Sequence, residues 1–272
     1  MDDEAAHRFT REHGVNRPLY ELVRLVLLPL VKVWYRFRVT GAEHIPKDGP
    51  VIVAPNHKSF YDSFFLGLAS RRPLHFMAKT ELFRGRSARF LNGLGAFPVK
   101  RGTADPEALE TARVLLERGR VLALFPEGTR YRDPDSLKAP RRGAGRLAIE
   151  EQAPIVPCAI TGTERLFAGG WFPKPVRVQV AFAPPVTPAE LDATPQAASE
   201  LIEEHVWPQV EREYHRLRAR RGLIAAALAA LGAGGGIAYR AQRPQKRRGP
   251  LPDRKRRPPW RRKKSRNPLR RS

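Results

Sequence analysis

The sequence has 272 residues, with 50 Lys and Arg side chains against 27 Asp and Glu and a formal net charge of +23. This length is sufficient for one well-packed α/β domain with additional segments. The single cysteine excludes an intramolecular disulfide, and the sequence has no Cys/His cluster with zinc spacing and no dinucleotide-binding or Walker-type glycine loop. We therefore expect no metal site and no resident cofactor.

Residues 1–38 are predicted to be an N-terminal amphipathic membrane-associating segment. The part from residue 18 to residue 38 is rich in Leu, Val and aromatic side chains, but basic residues interrupt it. Its uninterrupted apolar run, Leu25 to Val31, is much shorter than the roughly 20 residues that a membrane span requires. A helix lying in the interface, with Trp34 and Tyr35 at headgroup depth, fits this pattern. A helix packed on the core is the alternative, because both need the same periodicity.

A strand, a turn and a helix are predicted between Val51 and Asp62. The apolar, β-branched run Val51 to Ala54 indicates a buried strand, and Ser59 followed by Asp62 resembles a capping box. His57 then lies in the turn, within reach of the Asp62 carboxylate. A carboxylate bonded to one ring nitrogen raises the basicity of the other, which makes a general base. A carboxylate that only caps the helix is the alternative interpretation.

Further apolar runs, near residues 76, 95, 121 and 153, end in Gly, Pro or charged residues. They predict an α/β fold with a mostly parallel central sheet flanked by helices. Groups that follow parallel strands converge on one crevice of such a sheet. The residues offered there are Arg101, Glu127, Gly128, Thr129 and Arg130. Two guanidinium groups beside a small Gly-Thr pair indicate a site for a phosphate dianion.

In this order, the motifs resemble the glycerophospholipid acyltransferase family, typified by the bacterial 1-acylglycerol-3-phosphate acyltransferase. The four blocks are His57 to Asp62, Gly95 to Arg101, Phe125 to Arg130 and Pro154 to Pro157, and the resemblance covers roughly residues 40 to 185. The Phe-Pro-Glu-Gly-Thr-Arg block is the most specific of them. Lys100 stands where the family often has an acid, and Pro140-Arg141-Arg142-Gly143 where many members have Phe-Lys-Lys-Gly. These two departures leave the acceptor open.

The resemblance implies a role for each matching residue. His57 would deprotonate the acceptor hydroxyl while Asp62 orients it, so that the acyl group transfers directly, without a covalent enzyme intermediate. The predicted ligands of the glycerol phosphate are Arg101, Glu127, Gly128, Thr129 and Arg130. The alternative for Glu127 is a purely structural role. Pro157 would line the thioester side, or alternatively shape the end of its strand. The acyl donor would be an acyl-CoA or acyl carrier protein thioester, used as a co-substrate.

The catalytic domain is predicted to span residues 39–221, including a strand at 176–182 and a helix at 197–218. Residues 222–239 lack charge and are mostly Ala and Gly, which predicts an apolar helix that touches the membrane or marginally spans it. Residues 240–272 hold sixteen Lys and Arg side chains against one acid, Asp253. Because this tail has almost no aliphatic residues, we expect it to be a disordered polybasic segment.

The sequence thus predicts an enzyme that acylates 1-acyl-glycerol-3-phosphate to phosphatidate in phospholipid synthesis. We expect lysophosphatidate, an acyl thioester and an anionic membrane surface as partners. The expected location is the cytoplasmic face of the cell membrane, peripheral or monotopic. Another lysophospholipid or a glycolipid acceptor is one alternative. A catalytically inert protein that binds anionic lipid or nucleic acid through its tail is another. Nucleic acid is disfavoured because Trp260 is the tail's one aromatic residue available for base stacking.

Overall fold

The protein is described from a computed structural model that covers residues 2–219, apart from 101, 103, 104, 169 and 191–196. Seven strands are present in these residues: β1 (Arg38–Thr40), β2 (Val51–Pro55), β3 (Leu74–Lys79), β4 (Ala96–Val99), β5 (Val121–Ala123), β6 (Ile155–Thr161) and β7 (Gln179–Phe182). They form one sheet in the order β1-β7-β6-β2-β5-β3-β4. Neighbouring strands are parallel except β6 and β7, which pair antiparallel. The predicted, mostly parallel α/β sheet is confirmed.

Helices cover both faces of this sheet. They are α1 (Asp3–His13), α2 (Arg17–Trp34), α3 (Asp62–Ala69), α4 (Arg86–Gly93), α5 (Pro106–Glu117), α6 (Gly143–Glu150) and α7 (Ala197–Glu200). Helix α7 continues through a π-helical turn, Leu201–Val206, into helical residues that extend to 219. Helix α2 begins where the Asn16 carboxamide oxygen accepts a hydrogen bond from the backbone N–H of Leu19, at 3.1 Å. No helix among the described residues is both long enough and apolar enough to cross a membrane.

The side chains of β2 alternate between two buried clusters, one on each face of the sheet. Ile52 packs with α5, α6 and the helical residues 198–210. Val51 and Val53 pack with α2, α3 and the segment after β6. Every residue of β2 is buried, as expected for a central strand of a parallel sheet covered on both faces. This alternation fixes the orientation of β2 in the sheet, and therefore the position of the turn that follows it.

Several predicted segments differ in extent from the observed elements. The helix predicted within 18–38 ends at Trp34, and Tyr35 packs its ring edge-on against Phe65, with 5.4 Å between ring centroids. Tyr35 is therefore half-buried on the core and not at a free interface. Residues 222–239 and 240–272, for which an apolar helix and a disordered tail are predicted, lie outside the described residues.

Candidate active site

The turn between β2 and α3 brings His57 and Asp62 into direct contact. The Nδ1 atom of His57 lies 2.9 Å from Oδ2 of Asp62, and both side chains are buried. Helix α3 begins at Asp62 itself, later than the capping-box pattern predicts, because Ser59 Oγ accepts from the N–H of Tyr61 and no side chain caps the helix. The pairing of base and carboxylate nevertheless follows the sequence prediction.

Asp62 accepts hydrogen bonds through both carboxylate oxygens. Besides His57, Oδ2 accepts from the backbone N–H groups of Lys58 and Ser59, each at 2.7 Å. Oδ1 accepts from Oγ1 of Thr163 at 2.5 Å. An ionised carboxylate has no proton to donate, so His57 must carry its hydrogen on Nδ1. Its Nε2 atom is then left as an acceptor, and His57 lines the large cleft of the protein.

Three neighbours hold the backbone and ring of His57 in place. The backbone N–H of His57 donates to Oε1 of Glu127 at 2.7 Å, and the His57 carbonyl accepts from the N–H of Tyr131 at 2.8 Å. The ring stacks on Phe125, with 4.0 Å between centroids. Asn56 exchanges two hydrogen bonds with the backbone of Ile160 on β6. The base is therefore tied to both strands that flank β2.

Glu127 is fully buried in the turn that follows β5, and backbone N–H groups donate hydrogen bonds to its carboxylate. Oε1 accepts from His57 and Oε2 from the N–H of Lys138 at 3.3 Å. Burial raises the pKa of Glu127 above its ordinary value, and the two backbone hydrogen bonds oppose that shift. This geometry favours the structural alternative for Glu127 over direct contact with a phosphate.

Lys58 and Thr163 are two residues of the site that the sequence interpretation did not assign. The buried Lys58 Nζ donates to the carbonyl oxygens of Asp133, at 2.6 Å, and Ser136. Its ammonium group lies 4.9 Å from the centroid of the Tyr131 ring. Burial lowers the pKa of Lys58 from its ordinary value. The sequence could have identified Lys58 as a site residue, because it follows the histidine directly. It could not have identified Thr163, which lies 101 residues away from Asp62.

A cleft of about 600 Å³ extends from His57 between α2, α3, β3 and α4. Its lining is mainly apolar and aromatic, and includes Tyr20, Val23, Phe64, Leu68, Phe76, Met77, Leu82, Phe90, Leu91 and Leu94. His57, Phe125 and Arg130 also line the cleft, and they follow β2 and β5 in the chain. A polar reactive group therefore lies in the wall of a mainly apolar cleft.

The remaining predicted site residues have different surroundings. Arg130 is exposed and lines the cleft beside His57, whereas Thr129 is exposed and is not among the lining residues. Gly128 has φ of +68°, and a Cβ there would come within 3.1 Å of the Arg141 side chain, so this turn requires glycine. Arg101 lies outside the described residues. Thus Arg130 is the predicted phosphate ligand that the structure places at the cleft.

Pro157 lies within β6, opposite Ala54 of β2, and is fully buried. Its carbonyl oxygen accepts a hydrogen bond from the N–H of Ala183 at 2.9 Å. Pro157 is not among the residues that line the cleft. The structure therefore favours a role for Pro157 in sheet packing and not the predicted contact with a thioester. The adjacent Cys158 is also buried, which raises the pKa of its thiol well above its ordinary value.

Comparisons with known proteins agree with this site. Residues 36–161 match the family model described as Acyltransferase. The 1-acyl-sn-glycerol-3-phosphate acyltransferase of Bacillus subtilis (strain 168) is 35% identical over 127 residues, covering 46% of this chain and 62% of that protein. The alpha form of that enzyme from Ovis aries is 35% identical over 187 residues, covering 64% and 62%. The chain thus spans 62% of the length of both relatives.

The crystal structure of the 1-acyl-sn-glycerophosphate (LPA) acyltransferase PlsC from Thermotoga maritima superposes with a TM-score of 0.59 at 25% sequence identity. The similarity covers 78% of this chain and 83% of that one. The matched family region contains the His57–Asp62 pair and the turn around Glu127. Residues 36–161 are therefore similar in sequence to the acyltransferase family, and the fold resembles that of PlsC.

Proposed function

We propose that this protein is an acyltransferase that moves a fatty acyl group from an acyl thioester to the free hydroxyl of 1-acyl-glycerol-3-phosphate, giving phosphatidate. The observation that carries the proposal is the His57–Asp62 pair, whose histidine lines a mainly apolar cleft. The enzymes of B. subtilis and O. aries are named for that reaction, which supports the same acceptor here.

The chemistry follows from the state of His57. Its Nε2 atom takes the proton of the acceptor hydroxyl, and Asp62 stabilises the imidazolium that results. The acceptor oxygen forms a bond to the thioester carbonyl carbon. When the tetrahedral intermediate collapses, the carbon–sulfur bond breaks and the thiolate leaves with the proton that His57 returns. No side chain is acylated, which agrees with the burial of the single thiol, Cys158.

The cleft has an apolar part for the acyl chain of a lipid substrate and a charged residue for its phosphate. A volume of about 600 Å³ lies within the range of roughly 300–1,000 Å³ typical of ligand sites. Apolar walls between α2 and α4 suit a fatty acyl chain, and Arg130, which lines the same cleft as His57, suits a phosphate. This arrangement would place the reacting hydroxyl near Nε2, between the acyl chain and the charged group.

We also propose that α2 contacts a membrane from its outer side. Leu25, Leu30 and Val33 are exposed by 74, 61 and 81%, although the opposite side of the helix contributes Val31 to the core. Solvent-exposed leucine and valine on one helix face are typical of an interfacial helix. An acyltransferase attached in this way would take its lipid substrate directly from the bilayer.

The test is an activity assay of the full chain in detergent, with radiolabelled acyl-CoA and a panel of lysophospholipid and glycolipid acceptors. We expect lysophosphatidate to be the best acceptor. The variant His57→Ala should lose about 10²- to 10⁴-fold in turnover, as for loss of a general base. The matched control is His215→Ala, an exposed histidine on the last helix. Near-normal turnover of His57→Ala would refute the mechanism, and preference for another lyso-lipid would change the acceptor.

A further inference from the structure

The segment after β6 carries the most exposed aromatic side chain of the described residues. Trp171 is 88% exposed and Phe172 is 62% exposed, and their rings contact each other edge-on at 5.8 Å. A hydrogen bond from the N–H of Lys174 to the Leu166 carbonyl, at 2.7 Å, closes the base of this loop. Two large aromatic groups held away from the protein need an apolar partner.

This loop lies on the same face of the sheet as α2. Leu166, at the base of the loop, shares a buried cluster with Val31 of α2. Near the end of α2, the N–H of Val178 donates to the Tyr35 carbonyl at 3.0 Å. The exposed large hydrophobic side chains of the described residues come from α2, from the region of α3 and α4, and from this loop. The opposite layer, formed by α5, α6 and the last helix, contributes none of them.

The loop also adjoins the cleft. Phe167 stacks on Tyr61 with 5.2 Å between ring centroids, and Tyr61 lines the cleft. A membrane that binds this loop would therefore also lie close to a residue that lines the cleft.

Basic side chains lie on this loop and on the end of α2 that contacts it. Arg36 donates from Nη2 to the Pro175 carbonyl at 3.4 Å, which brings the end of α2 against the loop. The N–H of Arg38 donates to the carbonyl of Val178 at 3.1 Å, so Arg38 lies alongside the strand segment that follows Arg177. Burial, and then the charges of Arg38 and Arg36, lower the pKa of Arg177. Lys174 is exposed beside them. The surface combines aromatic side chains with a cluster of cations.

We propose that Trp171 and Phe172, with Arg36, Arg38, Lys174 and Arg177, form a second membrane-docking surface that binds anionic phospholipid headgroups and inserts its aromatic pair at the interface. This inference deepens the proposed function, because it rests on a lipid substrate that the protein must collect from a bilayer. Aromatic rings at headgroup depth and basic residues near anionic lipid are both favourable there. A second copy of this chain is the weaker choice, since a two-fold contact would place like arginine clusters together.

The test of insertion uses the full chain and vesicles of phosphatidylcholine and phosphatidylglycerol with brominated acyl chains, which quench nearby tryptophan. Replacing Trp34 and Trp260 by Phe leaves Trp171 and the buried Trp207 as emitters. We expect quenching on vesicle binding that is lost when Trp171→Phe is added. Equal quenching with and without Trp171, while the protein still cosediments with vesicles, would overturn the proposal.

Binding is measured by cosedimentation at high salt, where the screening length falls to about 3 Å at 1 M and charge attraction is weak. Trp171→Ala with Phe172→Ala should then weaken binding about tenfold. At low salt, Arg38→Gln with Lys174→Gln should weaken binding to anionic vesicles about tenfold. The matched control is Arg212→Gln, an exposed arginine on the last helix, which packs on the other face. If Arg212→Gln weakens binding as much as Arg38→Gln with Lys174→Gln does, the proposal is also overturned.

These measurements need no catalysis. Failure of acyl transfer in detergent would refute the proposed function and leave the docking surface standing. Loss of vesicle insertion alone would refute only the surface.

Discussion

Asp62 bears its charge without exposed surface, so its hydrogen bonds replace the water that an exposed carboxylate would have. Three donors come from the same turn, and one, Thr163, comes from the segment after β6. The local donors are fixed by the turn itself. Thr163 is therefore the contact that links the orientation of the carboxylate to the position of the neighbouring strand.

Replacing Thr163 with Val should lower kcat about tenfold and leave KM for both substrates nearly unchanged. The reason is the loss of a hydrogen bond to a buried charge, for which roughly 1.5–3 kcal/mol is typical. Thr163→Ser keeps the hydroxyl and should restore most of the rate. Steady-state kinetics of the two variants in detergent is the measurement. Equal activities of the Val and Ser variants would show that the hydroxyl does not act through Asp62.

Arg130 lines the same cleft as His57, which is also lined by the charged residues Arg24, Lys79 and Glu81. Arg130→Ala should raise KM for lysophosphatidate far more than KM for the acyl donor, because a charge-assisted contact with the phosphate is removed. Arg212→Ala, on the last helix, serves as the control. If both KM values rise equally, the arginine has a folding role instead.

At the scale of elements, α6 and α7 approach closely at Gly145. A Cβ on this glycine would overlap the Ala198 carbonyl oxygen and come within 2.8 Å of Cγ1 of Ile202. Gly143 lies in the same helix with no atom within 4 Å of such a Cβ. The two glycines therefore differ in packing while sharing their secondary structure.

Gly145→Ala should destabilise the protein by about 1–3 kcal/mol, because the second helix must move away from the first. Gly143→Ala should be neutral or stabilising by up to about 1 kcal/mol, since alanine loses less backbone entropy in a helix. Thermal unfolding of the two variants beside the parent measures the difference. The close contact would be disproved by a Gly145→Ala protein as stable as the Gly143→Ala protein.

At the scale of the whole molecule, the buried His75 on β3 couples folding to pH. Burial lowers its pKa to about 4, from an ordinary value of 6.5, although a hydrogen bond to the Val121 carbonyl opposes the shift. Its Nε2 atom has no hydrogen-bond partner among the described residues. The folded protein thus holds His75 neutral where the unfolded chain would bind a proton.

The contribution of the neutral His75 to the free energy of unfolding is fully present above pH 6.5. It declines as the pH falls from there towards 4, because only the unfolded chain takes up the proton in this window. The difference between the two pKa values corresponds to about 3 kcal/mol. His75→Met should flatten the pH dependence of stability by that amount. Urea unfolding between pH 4 and 7.5, with His215→Ala as control, measures it. If the free energy of unfolding of His75→Met depends on pH as steeply as that of the parent protein, His75 is not the cause of the pH dependence.

The sequence by itself determined the local parts of this protein. Period and composition specified β2, β5 and β6 and the amphipathic character of α2. The spacing of His57 and Asp62 specified their contact, because both residues lie in one turn and need no distant partner. The same holds for the turn that requires Gly128, since its backbone geometry is set within a few residues.

Only the tertiary structure decided what joins these parts. Glu127 and Thr163 reach the turn from 70 and 101 residues away, and the register of β5 and β6 against β2 brings them there. The same packing buries Pro157 in the sheet, forms the cleft from four separate elements, and places Trp171 beside the end of α2. Side-chain period indicates which face is buried, but it carries no information about which distant element covers that face.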